Sequence, residues 1–155
     1  MKPKVYERLE KERRERTGVL DLSEMEIETL PELEEMTWLT ELNLSENEIG
    51  DGRILEKLTK LTSLNVNKNK ISDGCFVEKL PNLTSLDLSE NPISDWRFLE
   101  NLTNLTSLSI GYNQFSDWVF IEKLTNLTSL DISSSNISDG RFLEKLTNLT
   151  SLDLW

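Results

Sequence analysis

A 22-residue unit occurs five times in succession between residues 39 and 148, and this repetition restricts the fold more than any other feature of the sequence. Each copy reads approximately L-T-S-L-D-L-S-x-N-x-I-S-D-x-x-F-L-E-K-L-T-N. The copies begin at Leu39, Leu61, Leu83, Leu105 and Leu127. A divergent copy precedes them and a partial copy follows them. A unit this short cannot bury its own apolar residues, so neighbouring units must stack and share a core. The sequence therefore predicts a solenoid.

Within each unit, the spacing of apolar residues changes from that of a strand to that of a helix. In the third full copy, Leu86 and Leu88 alternate with polar residues, which predicts a short strand with one buried face. Every copy runs in the same direction, so the strands should form a parallel sheet. Phe98-Leu99 then begins one or two turns of α or 3₁₀ helix on the opposite wall. The polar pairs before these helices predict N-caps. These pairs are Gly50-Asp51, Ser72-Asp73, Ser94-Asp95, Ser116-Asp117 and Ser138-Asp139.

An asparagine recurs where the chain leaves each strand. The column consists of Asn47, Asn69, Asn91 and Asn113, and a serine, Ser135, replaces it in the fifth copy. An amide side chain both donates and accepts hydrogen bonds, so this column can bind backbone groups of neighbouring repeats. We expect fewer such bonds, and a looser turn, around Ser135.

This pattern resembles the short class of leucine-rich repeats found in bacterial internalins. The matching positions are Leu83, Leu86, Leu88, Asn91, Ile93, Leu99, Leu102 and their equivalents in the other copies, and the resemblance covers residues 17–155. It implies an α/β solenoid with a curved parallel β-sheet on the concave side and short helices on the convex side. It also implies that a protein partner binds the concave sheet. A fold does not specify which partner, so no particular ligand follows from the resemblance.

Two segments are predicted within the chain. Residues 1–16 should form an N-terminal capping helix, because Val5, Tyr6 and Leu9 lie at spacings that place them on one helical face. Residues 17–155 should form the solenoid, with one divergent, five full and one partial repeat. A cap of this kind covers the end of the core that stacking leaves exposed.

Charge and composition exclude several classes of function. The formal net charge is −11, which disfavours binding to nucleic acid, because that binding needs a basic surface. The chain contains no histidine and one cysteine, Cys75, and its carboxylates form columns that do not converge on one point. We therefore expect no enzymatic activity, no metal and no cofactor. No secretory signal and no run of about 18 apolar residues is visible, which predicts a cytoplasmic protein that does not bind membranes.

Most side chains on the concave face are small or acidic, so this face is predicted to be negative and to attract a basic partner. Its predicted partner-binding residues are Asn65, Asn67, Lys68, Asp87, Glu90, Tyr112, Asp131 and Ser134. Tyr112 and Lys68 differ most from their counterparts in the other repeats.

Two tryptophans occupy a position that is glycine in other repeats. Trp96 and Trp118 have two interpretations. They either cover the edge of the core beside Phe98 and Phe120, or form an aromatic patch that binds a ligand. The sequence favours the first interpretation and leaves the second open.

The last repeat is predicted to mediate self-association. Its apolar residues lack a following repeat and should be uncovered, which predicts a homodimer through this end. The residues concerned are Phe142, Leu143, Leu146, Leu152, Leu154 and Trp155. Two alternatives remain: an artificial or consensus-like scaffold without its own ligand, and a fragment of a longer protein.

Overall fold

The computed structural model describes residues 3–115, 117–137 and 139–155, and within them it contains one parallel sheet of seven short strands. The strands follow each other in chain order: β1 (Val19–Asp21), β2 (Glu41–Asn43), β3 (Ser63–Asn65), β4 (Ser85–Asp87), β5 (Ser107–Ser109), β6 (Ser129–Asp131) and β7 (Ser151–Asp153). Each strand pairs with the equivalent residues of the next repeat, for example Leu64 with Leu86. The predicted solenoid fold is confirmed.

The opposite wall consists of short 3₁₀ helices. They span Pro31–Glu35, Gly52–Leu55, Cys75–Lys79, Arg97–Asn101, Val119–Lys123 and Arg141–Lys145. The core lies between this wall and the sheet, and it contains the central leucine of β2 to β6 together with apolar residues of the helices such as Val77 and Leu99. Each of these strands places only its central residue in the core, so a narrow strip of leucine and isoleucine is enough to fill it.

An aspartate fixes the start of the helix in each of the five full repeats. The carboxylates of Asp51, Asp73, Asp95, Asp117 and Asp139 each accept the backbone N–H two residues ahead, at 2.9–3.2 Å. These bonds satisfy a backbone donor that the helix leaves unpaired. The predicted N-cap is confirmed at Asp51. In the other four repeats the N-cap residue is the one after the aspartate, and the aspartate bonds the first N–H of the helix from just before it. Ser116 and Ser138, which the sequence also places at caps, lie outside the described residues.

The asparagine ladder (Asn47, Asn69, Asn91 and Asn113) connects successive repeats. Asn69 Nδ2 donates to the carbonyl oxygens of Leu44, Val66 and Asn67 at 2.9–3.1 Å, and its Oδ1 accepts the Ile49 N–H at 3.0 Å. One buried side chain thus serves backbone groups of two repeats. Ser135 replaces the amide in the fifth repeat, and its hydroxyl donates to the Ser133 carbonyl at 3.3 Å.

Two further ladders join the repeats at the other end of the strands. A threonine hydroxyl donates to the threonine carbonyl one repeat earlier at Thr62, Thr84, Thr106, Thr128 and Thr150, at 3.0–3.1 Å. The amides of Asn82, Asn104, Asn126 and Asn148 donate to carbonyls 23 residues earlier, at 2.8–3.2 Å. The sheet is therefore held at both ends by side chains.

Helix α1 (Pro3–Glu15) packs on β1, where the sequence predicts an N-terminal cap. Val5 and Leu9 are buried, as predicted, but Tyr6 is 46% exposed, so its predicted place on the apolar face is wrong. Glu12 is buried instead, and its carboxylate accepts hydrogen bonds from Thr17, from the Gly18 N–H at 2.9 Å and from the Trp38 indole at 2.8 Å. A buried carboxylate is tolerated here because these donors replace its water shell.

The asparagine ladder predicts unequal effects of two asparagine substitutions. Asn69→Ala removes four hydrogen bonds from the core and leaves the Ile49 N–H without a partner, so it should lower the free energy of unfolding by about 3 kcal/mol. Asn82→Ala removes one exposed bond to Thr59 O and should cost about 1 kcal/mol or less. Urea denaturation of the two variants measures both effects. Equal losses would contradict the assigned role of the ladder.

Glu12 predicts acid sensitivity of the cap. Burial raises the pKa of its carboxyl, but the hydrogen bonds from Thr17, Trp38 and Gly18 lower the pKa more, and the net shift is downward. A lowered pKa in the folded state gives stability that is present above the ordinary value of 4.5 and is lost as pH falls through the lowered one.

Glu12→Gln should therefore be less stable than the parent at pH 7, by about 2 kcal/mol, and the difference should shrink below about pH 4. Thermal unfolding of both proteins between pH 3 and pH 7 measures this dependence, with Glu7→Gln on the exposed side of α1 as the control. A difference that is constant over this range would contradict the prediction.

Candidate functional site

The concave face is built from regular rows of side chains, because equivalent residues of successive strands are paired. The strand row, Asp21, Asn43, Asn65, Asp87, Ser109, Asp131 and Asp153, lies at the last position of each strand. The turn row, Glu24, Glu46, Lys68, Glu90, Tyr112 and Ser134, follows three residues later. The predicted residues Asn65, Asp87 and Asp131 belong to the first row, and Lys68, Glu90, Tyr112 and Ser134 to the second.

The strand row shapes the turn that leads to the second row. Asn65 Oδ1 accepts the N–H of Asn67 at 2.9 Å, and Asp87 Oδ1 accepts the N–H of Ser89 at 3.0 Å. Asp131 makes the same bond to Ser133. Asparagine and aspartate are the residues that form such a turn through the side chain. Their presence on this face therefore has a structural reason as well as a charge.

Every residue of the turn row adopts the left-handed backbone conformation, with φ between 51° and 57°. This region is uncommon for residues other than glycine, and bulky side chains such as that of Tyr112 rarely occupy it. The sequence did not indicate this conformation, because none of the six positions is glycine. The turn directs a column of exposed side chains along one border of the concave face.

Lys68 is paired with a neighbour in its own row. Its ammonium lies 2.8 Å from Glu46 Oε2, and the hydrogen bond and charge of Glu46 raise its pKa. Glu24 and Glu90 act on it in the same direction. Lys68 is thus surrounded by carboxylates, and it reduces the negative charge of this border without forming a basic site.

A hydrogen-bonded network crosses the centre of the face. Ser89 Oγ and Ser109 Oγ are 2.6 Å apart, Ser109 Oγ donates to Asp131 Oδ2 at 2.9 Å, and Ser133 Oγ donates to Asp131 Oδ1 at 2.6 Å. Gly111 permits this packing, because a Cβ at this position would lie 2.7 Å from Ser133 Oγ. The only sequence signal for the network is that Ser109 and Gly111 depart from the repeat.

The two carboxyls of this region have opposite pKa shifts. Burial raises the pKa of Asp87, and the charge of Asp131 adds to that increase. Burial also raises the pKa of Asp131, but hydrogen bonds from Ser133 and Ser109 lower it more. Asp131 is therefore the better stabilised anion, and Asp87 gains more from a nearby cation.

Tyr112 is the large exposed side chain of the turn row, with 60% of its surface accessible. Its neighbours in the turn row are Glu90 and Ser134. An exposed aromatic ring beside carboxylates can pack against apolar or cationic groups of a partner. Of the predicted residues, Tyr112 is the one whose exposure suits an anchor.

Trp96 and Trp118 are buried, with 4% and 8% of their surfaces exposed. The ring centroids of Trp96 and Phe115 are 5.0 Å apart, those of Phe115 and Trp118 are 4.3 Å apart, and Trp118 stacks on Phe142 at 5.0 Å. This burial agrees with the interpretation that the indoles cover the core edge. The alternative, an exposed aromatic patch that binds a ligand, does not agree with this burial.

The last repeat exposes fewer apolar residues than predicted. Phe142 and Leu146 are each only 3% exposed, and Leu143 is partly buried, because the stack against Trp118 and the core covers them. Their predicted exposure is therefore wrong. Leu152, Leu154 and Trp155 are 38%, 44% and 95% exposed, along the free edge of β7.

The repeat pattern matches the family model for leucine-rich repeats in two copies, over residues 37–73 and 81–123, and a second leucine-rich repeat model matches residues 123–140. The chain belongs to the leucine-rich repeat family. The predicted internalin-like character is confirmed by the solved structures that this leucine-rich repeat protein resembles. Its comparison with curated proteins gives no match.

Two internalins of Listeria monocytogenes are among these structures. The internalin inlF is 34% identical with a TM-score of 0.82, and internalin C2 is 30% identical with a TM-score of 0.70. A leucine-rich repeat protein of Leptospira interrogans is 26% identical with a TM-score of 0.79. Each alignment covers 88% of this chain, but the chain spans only 41%, 70% and 36%, respectively, of the three relatives.

Among its described residues, this leucine-rich repeat protein has neither a membrane-spanning helix nor a cluster of metal ligands. Over residues 3–115, 117–137 and 139–155, no helix has the length and apolar character needed to cross a membrane. No three cysteine, aspartate or glutamate side chains of the described residues are grouped so that they could hold a metal ion.

Proposed function

We propose that the concave sheet is a docking surface for a basic segment of a protein partner. Leucine-rich repeat proteins are generally protein-interaction modules, and the family therefore supports the class of function. The finer proposal rests on one observation, the excess of negative charge on the concave face. Its carboxylates belong to Asp21, Glu24, Glu41, Glu46, Asp87, Glu90, Asp131 and Asp153, whereas Lys68 is the one cation in the two rows that carry most of them.

The arrangement of these charges favours binding over catalysis. The carboxylates are spread along paired strands at intervals of one repeat, and Asp87 and Asp131 are separated by the strand that carries Ser109. Acid–base catalysis needs groups that converge on one substrate atom. A row of separated charges instead complements an extended chain with several lysine or arginine residues and accelerates its association.

The centre of the face is the part we expect to contribute most to affinity. Asp87 is partly withdrawn from water, so a cation placed beside it interacts in a lower dielectric than it would at the exposed rim. Tyr112 lies in the adjacent turn row and offers an aromatic surface next to this charge. Charged and aromatic groups that lose water together are typical of interface hot spots.

A charge-removal experiment tests the proposal. The probe is a ten-residue oligolysine peptide, and the variant is Asp87→Asn combined with Asp131→Asn. Asparagine keeps the turn, because Asn43 and Asn65 make the same bond in their repeats. The matched control is Glu78→Gln with Glu122→Gln, which removes two charges the same number of repeats apart from the convex side.

We expect the concave variant to bind the peptide on the order of tenfold more weakly at low salt, and the control to change affinity less than twofold. The difference should decrease at high salt as screening shortens the range of the charges. Isothermal titration calorimetry measures both. Equal losses in the two variants would mean that net charge alone attracts the peptide, as expected of a scaffold without its own ligand.

We also propose that a second copy of the chain pairs along the free edge of β7. Leu152, Leu154 and Trp155 are exposed there, and the backbone of an edge strand has unpaired hydrogen-bonding groups. Two β7 strands related by a two-fold axis would be antiparallel and would close the assembly.

Light scattering at tens of micromolar should then give the mass of a dimer, and Leu154→Lys should shift the protein to the monomer. Val119→Lys, at an exposed apolar residue away from β7, is the control and should not change the mass. A monomer for the parent protein at this concentration would contradict the proposal. The cytoplasmic location inferred from the sequence remains a prediction.

A further inference from the structure

Pro92 interrupts the hydrogen bonding between the third full repeat and the second. In the two preceding repeats, the residue after the ladder asparagine donates its N–H to the repeat before: Glu48 to Ile27 O at 2.8 Å, and Lys70 to Ile49 O at 2.9 Å. Pro92 stands at the equivalent position and has no N–H to donate. The repeated backbone bond is therefore missing here for a covalent reason.

The next residue also changes its partner. Ile27, Ile49 and Ile71 donate their N–H groups to Oδ1 of the ladder asparagine in the following repeat, at 2.9–3.1 Å. Ile93 instead donates to the carbonyl of Asn91, in its own turn, at 2.8 Å. Asn113 Oδ1 thus does not receive the bond that its counterparts receive, although Asn113 is 95% buried.

The asparagine ladder is stretched at the same place. Asn69 and Asn91 Nδ2 each reach the carbonyl 25 residues earlier at 2.9 Å, whereas the bond from Asn113 to Leu88 O lengthens to 3.4 Å. A cleft of about 560 Å³ lies between the turns of the third and fourth repeats. Pro92, Ile93 and Phe115 provide its apolar walls, and Tyr112, Asn113 and Gln114 provide its polar groups.

The uncharged lining of this cleft and the charges around it restrict its occupant. The residues that line it are uncharged, so a lysine or arginine tip inside would lose hydration without gaining an ionic partner. The adjoining concave face carries Asp87, Glu90 and Asp131 and complements basic residues on either side of an inserted group. An aromatic side chain with one N–H or O–H can fill apolar space and donate to an amide oxygen such as Asn113 Oδ1.

We propose that this cleft is the anchor site for a tryptophan or tyrosine side chain carried on a basic segment of the protein partner. The proposal rests on the proposed function of the concave face and specifies its central contact. Tyr112 forms the entrance, where its exposed ring packs on the incoming aromatic group. Because the Ile93 N–H is bonded within its own turn, it does not tie that turn to Asn113 on the far side of the cleft.

Two peptides test the anchor. One has tryptophan at its centre, glycine on either side of it and arginine at both ends, and the other has alanine in place of tryptophan. We expect the tryptophan peptide to bind at least about tenfold more tightly, because a large aromatic surface becomes buried. In ¹⁵N NMR spectra it should shift the Ile93 amide and the side-chain amides of Asn113 and Gln114, which the alanine peptide should leave in place.

Pro92→Gln distinguishes the loss of the cleft from a general loss of stability. The new N–H can donate to Ile71 O in the second repeat, as Lys70 does to Ile49 O. The third turn should then take the regular form, in which the isoleucine N–H donates to the next ladder asparagine, here Ile93 to Asn113 Oδ1. This bond would close the cleft, and the melting temperature should rise by about 2–4 °C. The preference for tryptophan should fall below twofold. Pro81→Thr, which restores the residue found at Thr103 and Thr125, is the matched control and should retain the preference.

Tyr112→Ser provides a second variant that keeps a residue type found in the same turn at Ser134. It should reduce the tryptophan preference about threefold or more and leave alanine-peptide binding unchanged. If the alanine peptide binds the concave face in a salt-dependent manner and tryptophan adds nothing, the anchor proposal is overturned and the proposed function stands. If neither peptide binds, both are overturned. A tryptophan preference that survives Pro92→Gln also overturns the anchor.

Discussion

The fold depends on hydrogen bonds that pass from each repeat to the next through side chains. Each strand contains only three residues, and a sheet of such short strands needs additional support. The asparagine ladder supplies it at one end of the strands, while the threonine hydroxyls and the second set of asparagines supply it at the other. Buried amides are costly unless fully bonded, so Asn69, with four partners, favours a single register.

This dependence explains why small departures from the repeat change the surface. Pro92 lacks one backbone donor, and the neighbouring Ile93 and Asn113 lack the hydrogen bond that joins their counterparts in the earlier repeats. Ser109 and Gly111 depart from the repeat pattern, and hydrogen bonds through the hydroxyls of Ser89 and Ser109 then lead to Asp131. In a solenoid each repeat contacts only its neighbours, so such changes remain local and do not disturb the distant repeats. The irregular positions can therefore differ in function while the regular positions maintain the fold.

Much of this architecture could be predicted because the repeat carries the same information five times. The strand position, the capping aspartates and the role of Asn69 follow from spacing and side-chain chemistry. Other features depend on packing between residues of different repeats. The burial of Trp118 depends on the rings of Phe115 and Phe142, and the pairing of Lys68 depends on Glu46 one repeat away. The exposure expected at Phe142 was wrong because the same stack covers it.

The sequence by itself determined the solenoid, its parallel sheet and the positions that can differ between repeats. A fixed period of 22 residues aligns equivalent side chains whatever their identity, so these features do not depend on detailed contacts. The tertiary structure alone decided which of these side chains are available to a partner. Left-handed turns expose Tyr112, ring stacking buries Trp96, and a cleft lies between the turns of the third and fourth repeats. The exposure of a side chain depends on its neighbours in space, and a repeat pattern in the sequence does not specify those neighbours.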